Sequence, residues 1–178
     1  MNGTVNISFL MKAVTDRAVA FFLDELGIAM HYTSYNQENV QELELRYLTS
    51  LLVIEGCVKL YLAFSFDEPL IERAFDVYAD GIDVAEGERD GYVRETAGDI
   101  INIVVGNATA QFAATGPAIT LSPPIVISEA KSIGCHKDGQ FYTASLETEL
   151  GKMDIYCIAP KEFFDKSMNS LFRKPDRG

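Results

Sequence analysis

Cysteine, histidine and basic residues are scarce in this chain, and long apolar runs are missing. Of 178 residues, three are cysteine and two are histidine. Cys57, Cys135 and Cys157 show no CxxC spacing, and an odd count cannot be fully paired. Cys57 and Cys157 lie in apolar runs and read as buried small side chains, which suits a reducing compartment. Cys135-His136 has no second pair at metal-ligand spacing and reads as a turn before Lys137-Asp138-Gly139. His31, alone beside Tyr32, reads as structural. Fifteen Lys and Arg face 26 Asp and Glu, for a net charge of −11. Nucleic acids and anionic membranes are held by cations, so this surface suits neither. The acidity itself reads as solubility. No uncharged run reaches the ~18–20 strongly apolar residues of a membrane span. Lys12, Asp16 and Arg17 interrupt the N-terminal stretch that could have served as a signal peptide. The expected location is cytoplasmic. No GxSxG, P-loop or GxGxxG follows a strand, and the acids of 80–90 do not match a calcium loop.

What is present is a chain with 48% hydrophobic residues, enough for one sizeable core. The expected organisation is one domain over 1–170 and a charged tail over 171–178. Residues 6–26 carry apolar positions at three-and-four spacing and predict a helix stopping at Gly27. Residues 31–42 are polar and fit a loop or an edge strand. Runs 43–56 and 57–66 alternate and predict a hairpin turning at Glu55-Gly56. Tyr61, Phe64 and Phe66 read as core or sheet filling. Asp67 and Pro69 start a helix ending near Gly81. A long helix follows over 88–114. Strands are expected at 118–121, 125–133, 140–149 and 152–159, and a short helix at 160–170. This order predicts an α+β fold, an antiparallel sheet with long helices packed on one face.

The long helix is unlike the others. Wound at ~100° per residue, Val93, Ala97, Ile100, Ile101, Val104, Val105, Ala108 and Phe112 gather on one side. The opposite stripe holds Glu95, Gly98, Asp99, Asn102, Gly106 and Thr109. It carries no Lys or Arg, although solvated helix faces usually mix both signs. Its interior glycines cost ~0.8–1 kcal/mol each relative to Ala. Two readings stand at this point. The acids could serve the helix dipole and the glycines close helix–sheet packing. Alternatively, the stripe is a surface kept clear for a partner.

Residues 92–112 and the following ITLSPPIVI resemble the CheC/CheX family of chemotaxis phosphatases. The family signature is an acid or serine, three residues, a Glu, two residues, an Asn, and a proline about twenty-two residues later. Here it reads Glu95-x3-Asp99-x2-Asn102, with Pro123 and Pro124 near the right distance. The first helix lacks an acid-x2-Asn, so the chain resembles the single-motif CheX branch. The resemblance implies a phosphatase for the phospho-aspartate of a CheY-type response regulator. Asn102 holds the attacking water, Asp99 meets the regulator's active-site lysine, and Glu95 flanks them. Gly98, Gly106 and Thr109 belong to the docking surface. No cofactor of its own is implied; Mg2+ is expected on the regulator. A homodimer is implied as well. Asp99 stands where the family's usual residue is Glu, and loses ~1.5 Å of reach. The resemblance therefore also admits a receiver-binding module of the same fold that has lost catalysis.

Overall fold

In a computed structural model, the structure describes residues 7–38, 42–56, 59–113, 119–134 and 139–160. Helix α1 spans Ile7–Leu26, and strand β1 spans His31–Glu38. Strands β2, Glu42–Glu44, β3, Leu48–Glu55, and β4, Lys59–Phe66, lead into helix α2, Glu68–Tyr78. A 3-10 turn at Glu86–Glu88 opens helix α3, Arg89–Ala113. Strands β5, Thr120–Leu121, β6, Ile125–Ile127, β7, Ser132–Gly134, β8, Gly139–Thr148, and β9, Gly151–Pro160, follow.

Seven strands make one antiparallel sheet in the order β1-β8-β9-β4-β3-β5, with β6 also on β3. Period-two alternation divides its residues between two faces. Leu60, Leu62, Phe64 and Phe66 of β4 enter the main core with Leu48, Leu52 and Ile54 of β3. All three helices cover that face. Leu10, Met11, Val14, Phe21 and Phe22 of α1 join it, as do Leu70, Ile71 and Phe75 of α2. Val93, Ala97, Ile100, Ile101, Val104, Val105 and Ala108 of α3 are all buried there, as their periodicity predicted. The α+β architecture with helices on one face is therefore observed.

Several boundaries differ from the sequence reading. Residues 31–38 are the edge strand, the second of the two options left open for this segment. The run 43–56 is two strands, since β2 joins a two-stranded ribbon and only β3 joins the main sheet. The run 125–133 also divides. Its first part joins β3, while β7 pairs with β2 in a separate two-stranded ribbon. This ribbon lies on the far face of the sheet, where Leu43 and Ile133 pack with Ala63, Phe141 and Tyr156. Tyr61 is 38% exposed with Lys59 Nζ 5.9 Å from its ring, so only Phe64 and Phe66 of the aromatic set fill the core. Asp67 precedes α2 as foreseen, but its carboxylate makes no cap hydrogen bond. Gly27 and Gly81 end α1 and α2 with φ of 66° and 78°, the left-handed region that favours glycine. Cys157 is buried, and burial pushes its thiol up to about 12. Cys57, Cys135, His136, the 160–170 helix and the 171–178 tail fall outside the described residues. Among those described, no helix is long and apolar enough to cross a membrane.

Under the ribbon lies a polar cluster centred on Arg46. Its Nε donates to Asp154 Oδ2 at 2.6 Å and its Nη1 to Asp67 Oδ1 at 2.8 Å. Asp154 also accepts from Ser145 Oγ at 2.6 Å. Asp67 accepts from the Lys152 backbone N–H at 2.8 Å. The Tyr156 hydroxyl is shared between the Glu44 carbonyl at 2.9 Å and Asp154 at 3.1 Å. Burial, and then Asp154, push the Tyr156 phenol far up. Burial alone lowers the Arg46 pKa, but its hydrogen bonds to both carboxylates and their charges more than offset it, so the net shift is upward. Gly151 closes the cluster. It has φ 115°, and a Cβ there would stand 2.8 Å from Asp67 Oδ2, so both backbone and space demand glycine.

Candidate functional site

Helix α3 packs its apolar side on α1, α2 and the sheet, which leaves one face to solvent. Glu95, Asp99 and Asn102 are exposed on that face. They are one turn apart, at i, i+4 and i+7, so they share a single side of the helix. Among the described residues, no side-chain hydrogen bond or ion pair engages any of the three. The cations of α3 are used elsewhere. Arg89 Nη2 reaches Glu72 at 2.6 Å and Asp76 at 2.7 Å on α2, with its guanidinium 4.6 Å from the Phe75 ring centroid. Arg94 donates to Ser128 on the other flank. A ~200 Å³ cavity opens beside that bond, lined by Tyr47, Asp90, Val93 and Arg94 among others. The face is therefore anionic, and among the described residues its Glu95, Asp99 and Asn102 have no hydrogen-bond or ion-pair partner.

The remaining stripe residues divide. Gly106 is half-buried, and a Cβ built on it meets nothing within 4 Å. Open space above an interior glycine is what close approach by another molecule needs. Gly98, by contrast, is buried. A Cβ there would stand 3.4 Å from Pro124 Cγ and 3.7 Å from Val126 Cγ2. The approach it permits is internal, between α3 and the segment joining β5 to β6. Of the two prolines in the sequence pattern, Pro124 is thus the one seated on the helix, one turn before Asn102. Thr109 is also buried at 6% exposure, and its hydroxyl bonds the Val105 carbonyl at 2.8 Å and the Gly106 carbonyl at 3.1 Å. A helical wheel cannot show either burial, because the covering atoms come from other elements.

Three side chains around the face escaped the sequence reading. Ile103 is 37% exposed beside Asn102, and Tyr78 and Tyr92 are similarly open. The Tyr78 phenol is raised first by burial and then by the charges of Asp99 and Glu25, which places it within the field of Asp99. The available signal was an aromatic or aliphatic residue outside the apolar stripe of its own helix. Among the described residues, no group of three or more His, Cys, Asp and Glu is placed to hold a metal.

A family model described as chemotaxis phosphatase CheX matches residues 48–147. The chain belongs to the CheX family. The match contains Glu95, Asp99, Asn102 and Pro124, so the exposed face of α3 lies wholly within the family's region. No curated protein matches the chain. Solved structures agree on the fold. The chemotaxis protein CheX from Desulfovibrio desulfuricans superposes with a TM-score of 0.71 at 13% identity, covering 83% of this chain and 97% of that one. A CheC-like superfamily protein from Shewanella sp. PV-4 also gives 0.71, at 20% identity, over 86% and 98%. The CheX–CheY–BeF3–Mg2+ complex from Borrelia burgdorferi gives 0.60 at 18% identity, over 84% and 96%.

Proposed function

We propose that this CheX-family protein accelerates hydrolysis of the phospho-aspartate of a CheY-like response regulator, with the exposed face of α3 as the docking surface. One observation carries the reading. Asn102 stands exposed and unpartnered on an anionic face, at the Asn position of the family motif. The regulator supplies the phospho-aspartate and its Mg2+; this chain needs no cofactor of its own. Asn102 orients a water in line with the phosphorus. A neutral carboxamide accepts from one water proton without adding negative charge beside the phosphoryl oxygens, as a glutamine does in GTPases. The water oxygen attacks phosphorus, the P–O bond to the aspartate breaks, and inorganic phosphate leaves with the water's protons. Asp99 pairs with the regulator's active-site lysine, and Glu95 flanks the contact. Positioning of this kind is worth several kcal/mol. Gly106 lets the regulator's backbone approach the helix, while Gly98 and Thr109 support the surface from beneath. The protein works as a cytoplasmic homodimer of single domains spanning 1–170.

A second reading has its own observation. Asp99 is a methylene shorter than the family's Glu, and a ~1 Å misplacement can cost ~100-fold in rate. On this reading the chain binds a receiver domain without hydrolysing its phosphate. Both are tested by following phosphate loss from a panel of phosphorylated receiver domains. Faster loss with the native protein and none with Asn102→Ala establishes the phosphatase. Binding without acceleration, with acceleration gained in Asp99→Glu, establishes the module. No binding to any receiver domain removes both readings.

A further inference from the structure

The two flanks of the open face of α3 are built differently. At ~100° per residue, with Asp99 as the reference, Asn102 lies ~60° to one side and Ile103 ~40° to the other. The Asn102 side runs toward β6, where Pro124 seats on Gly98 and Arg94 bonds Ser128. The Ile103 side runs toward α2, since Arg89, at ~80° in the same direction, bonds Glu72 and Asp76 there. On that side Ile103 is 37% exposed, and Tyr78, in the last turn of α2, is 39% exposed. Burial and then the charge of Asp99 raise the Tyr78 phenol, so the ring stands near that carboxylate.

Packing within the fold gives neither side chain a full burial. Ile71, Ala74 and Phe75 of α2 are buried, and Tyr78 continues their three-and-four spacing yet stays open. Ile103 is β-branched and stands outside the buried stripe of α3, so it gains little from helix propensity or from the core. One open apolar side chain is ordinary. These two come from different helices and flank one carboxylate, which has no cation partner among the described residues. Their relative placement is fixed, because Arg89 ties α2 to α3 through two carboxylates and the Phe75 ring, one turn before Tyr78. An open carboxylate walled by apolar side chains gains from being covered. Covering the wall removes water from the charge and strengthens whatever pairs with it.

We propose that Tyr78 and Ile103 make an apolar contact with the docked receiver domain and shield the pairing of Asp99 with the receiver's lysine from water. The inference rests on the functional reading above and extends the docking surface from α3 onto α2. The occupant is an aliphatic or aromatic side chain of the receiver beside that lysine. A charged residue there is rejected, because it loses its water against the ring and the isoleucine. Tyr78 and Ile103 set affinity and choice of partner, in part through Asp99, while Asn102 holds the water.

The test is the dissociation constant for a beryllofluoride-activated receiver domain at low and high salt, on variants shown to be folded by circular dichroism. Tyr78→Ala and Ile103→Ala should each weaken binding about 5–10-fold, and Tyr78→Phe, which keeps the ring, should bind within about twofold of native. Salt screens an exposed pair more than a sheltered one, so Tyr78→Ala should show the steeper salt dependence. Asp99→Ala should cost less in the Tyr78→Ala background than in the native chain, a coupling that a purely structural role for Tyr78 does not produce. With phosphorylated receiver, Tyr78→Ala should raise KM more than it lowers kcat. If native protein binds and folded Tyr78→Ala and Ile103→Ala bind equally well, or if the costs of Tyr78→Ala and Asp99→Ala simply add, this inference is wrong and the functional reading survives. If native protein binds no receiver domain, the functional reading fails and takes this inference with it.

Discussion

Two polar regions of this molecule are built on opposite terms. In the Arg46 cluster, Asp67 and Asp154 each hold several donors, and Arg46 answers both. On the face of α3, Glu95, Asp99 and Asn102 hold none among the described residues. Desolvation explains the first arrangement, since a charge removed from water is tolerated only when paired. The second needs no partner within the fold, because water solvates exposed groups. Its residues could be replaced without leaving any buried group unsatisfied.

The contrast can be broken by substitution, and the largest effect is expected at Asn102. Asn102→Ala should remove at least about 100-fold of the acceleration of phosphate loss. Its urea midpoint should stay within the error expected of an exposed site, about 0.5 kcal/mol. A loss of stability instead would make Asn102 structural. Asp154→Ala should behave in the opposite way. It leaves Arg46 with one carboxylate and should cost about 2–3 kcal/mol, below the full value for a buried pair because Arg46 is a quarter exposed. Urea denaturation reads that cost, while phosphatase assays on the folded fraction should show native kcat. Asp99→Glu sharpens the reading of the open face. Restored reach should raise the hydrolysis rate about tenfold, and an unchanged rate would show that Asp99 already meets its partner. The smallest effect belongs to Gly106→Ala. With open space above it, the change should stabilise α3 by up to ~1 kcal/mol, measured thermally, yet weaken receiver binding a few-fold.

The sequence shows one half of this contrast far better than the other. The core face of α3 follows from 3.6-residue spacing, a property of the helix alone, and Val93, Ala97, Ile100, Ile101, Val104, Val105 and Ala108 are all buried. Helix α1, the β3–β4 pairing and the strands from β8 onward are equally local in origin. The exposure of Asn102, Asp99 and Glu95 was legible because it follows from the winding of one helix, while their roles came only from the family resemblance. The burial of Gly98 was not legible, since Pro124 and Val126 come from the segment before and within β6. The Arg46 cluster was wholly hidden. Arg46, Asp67 and Asp154 are separated by 21 and 87 residues, and no local pattern links them. The break in 43–56 was missed for the same reason. The partner of the first strand, β7, lies some ninety residues further along the chain.

The position of β9 sets a schedule on how the protein is made. It is the last of the described strands to leave the ribosome, yet it inserts between β8 and β4 and carries Asp154 to Arg46. A nascent chain holds the whole of α3 while the sheet beneath it still lacks a central strand. Such long-range pairing is slow and leaves apolar surface exposed until it is complete. The exposed face of α3 therefore acquires a rigid base only when synthesis has passed residue 160.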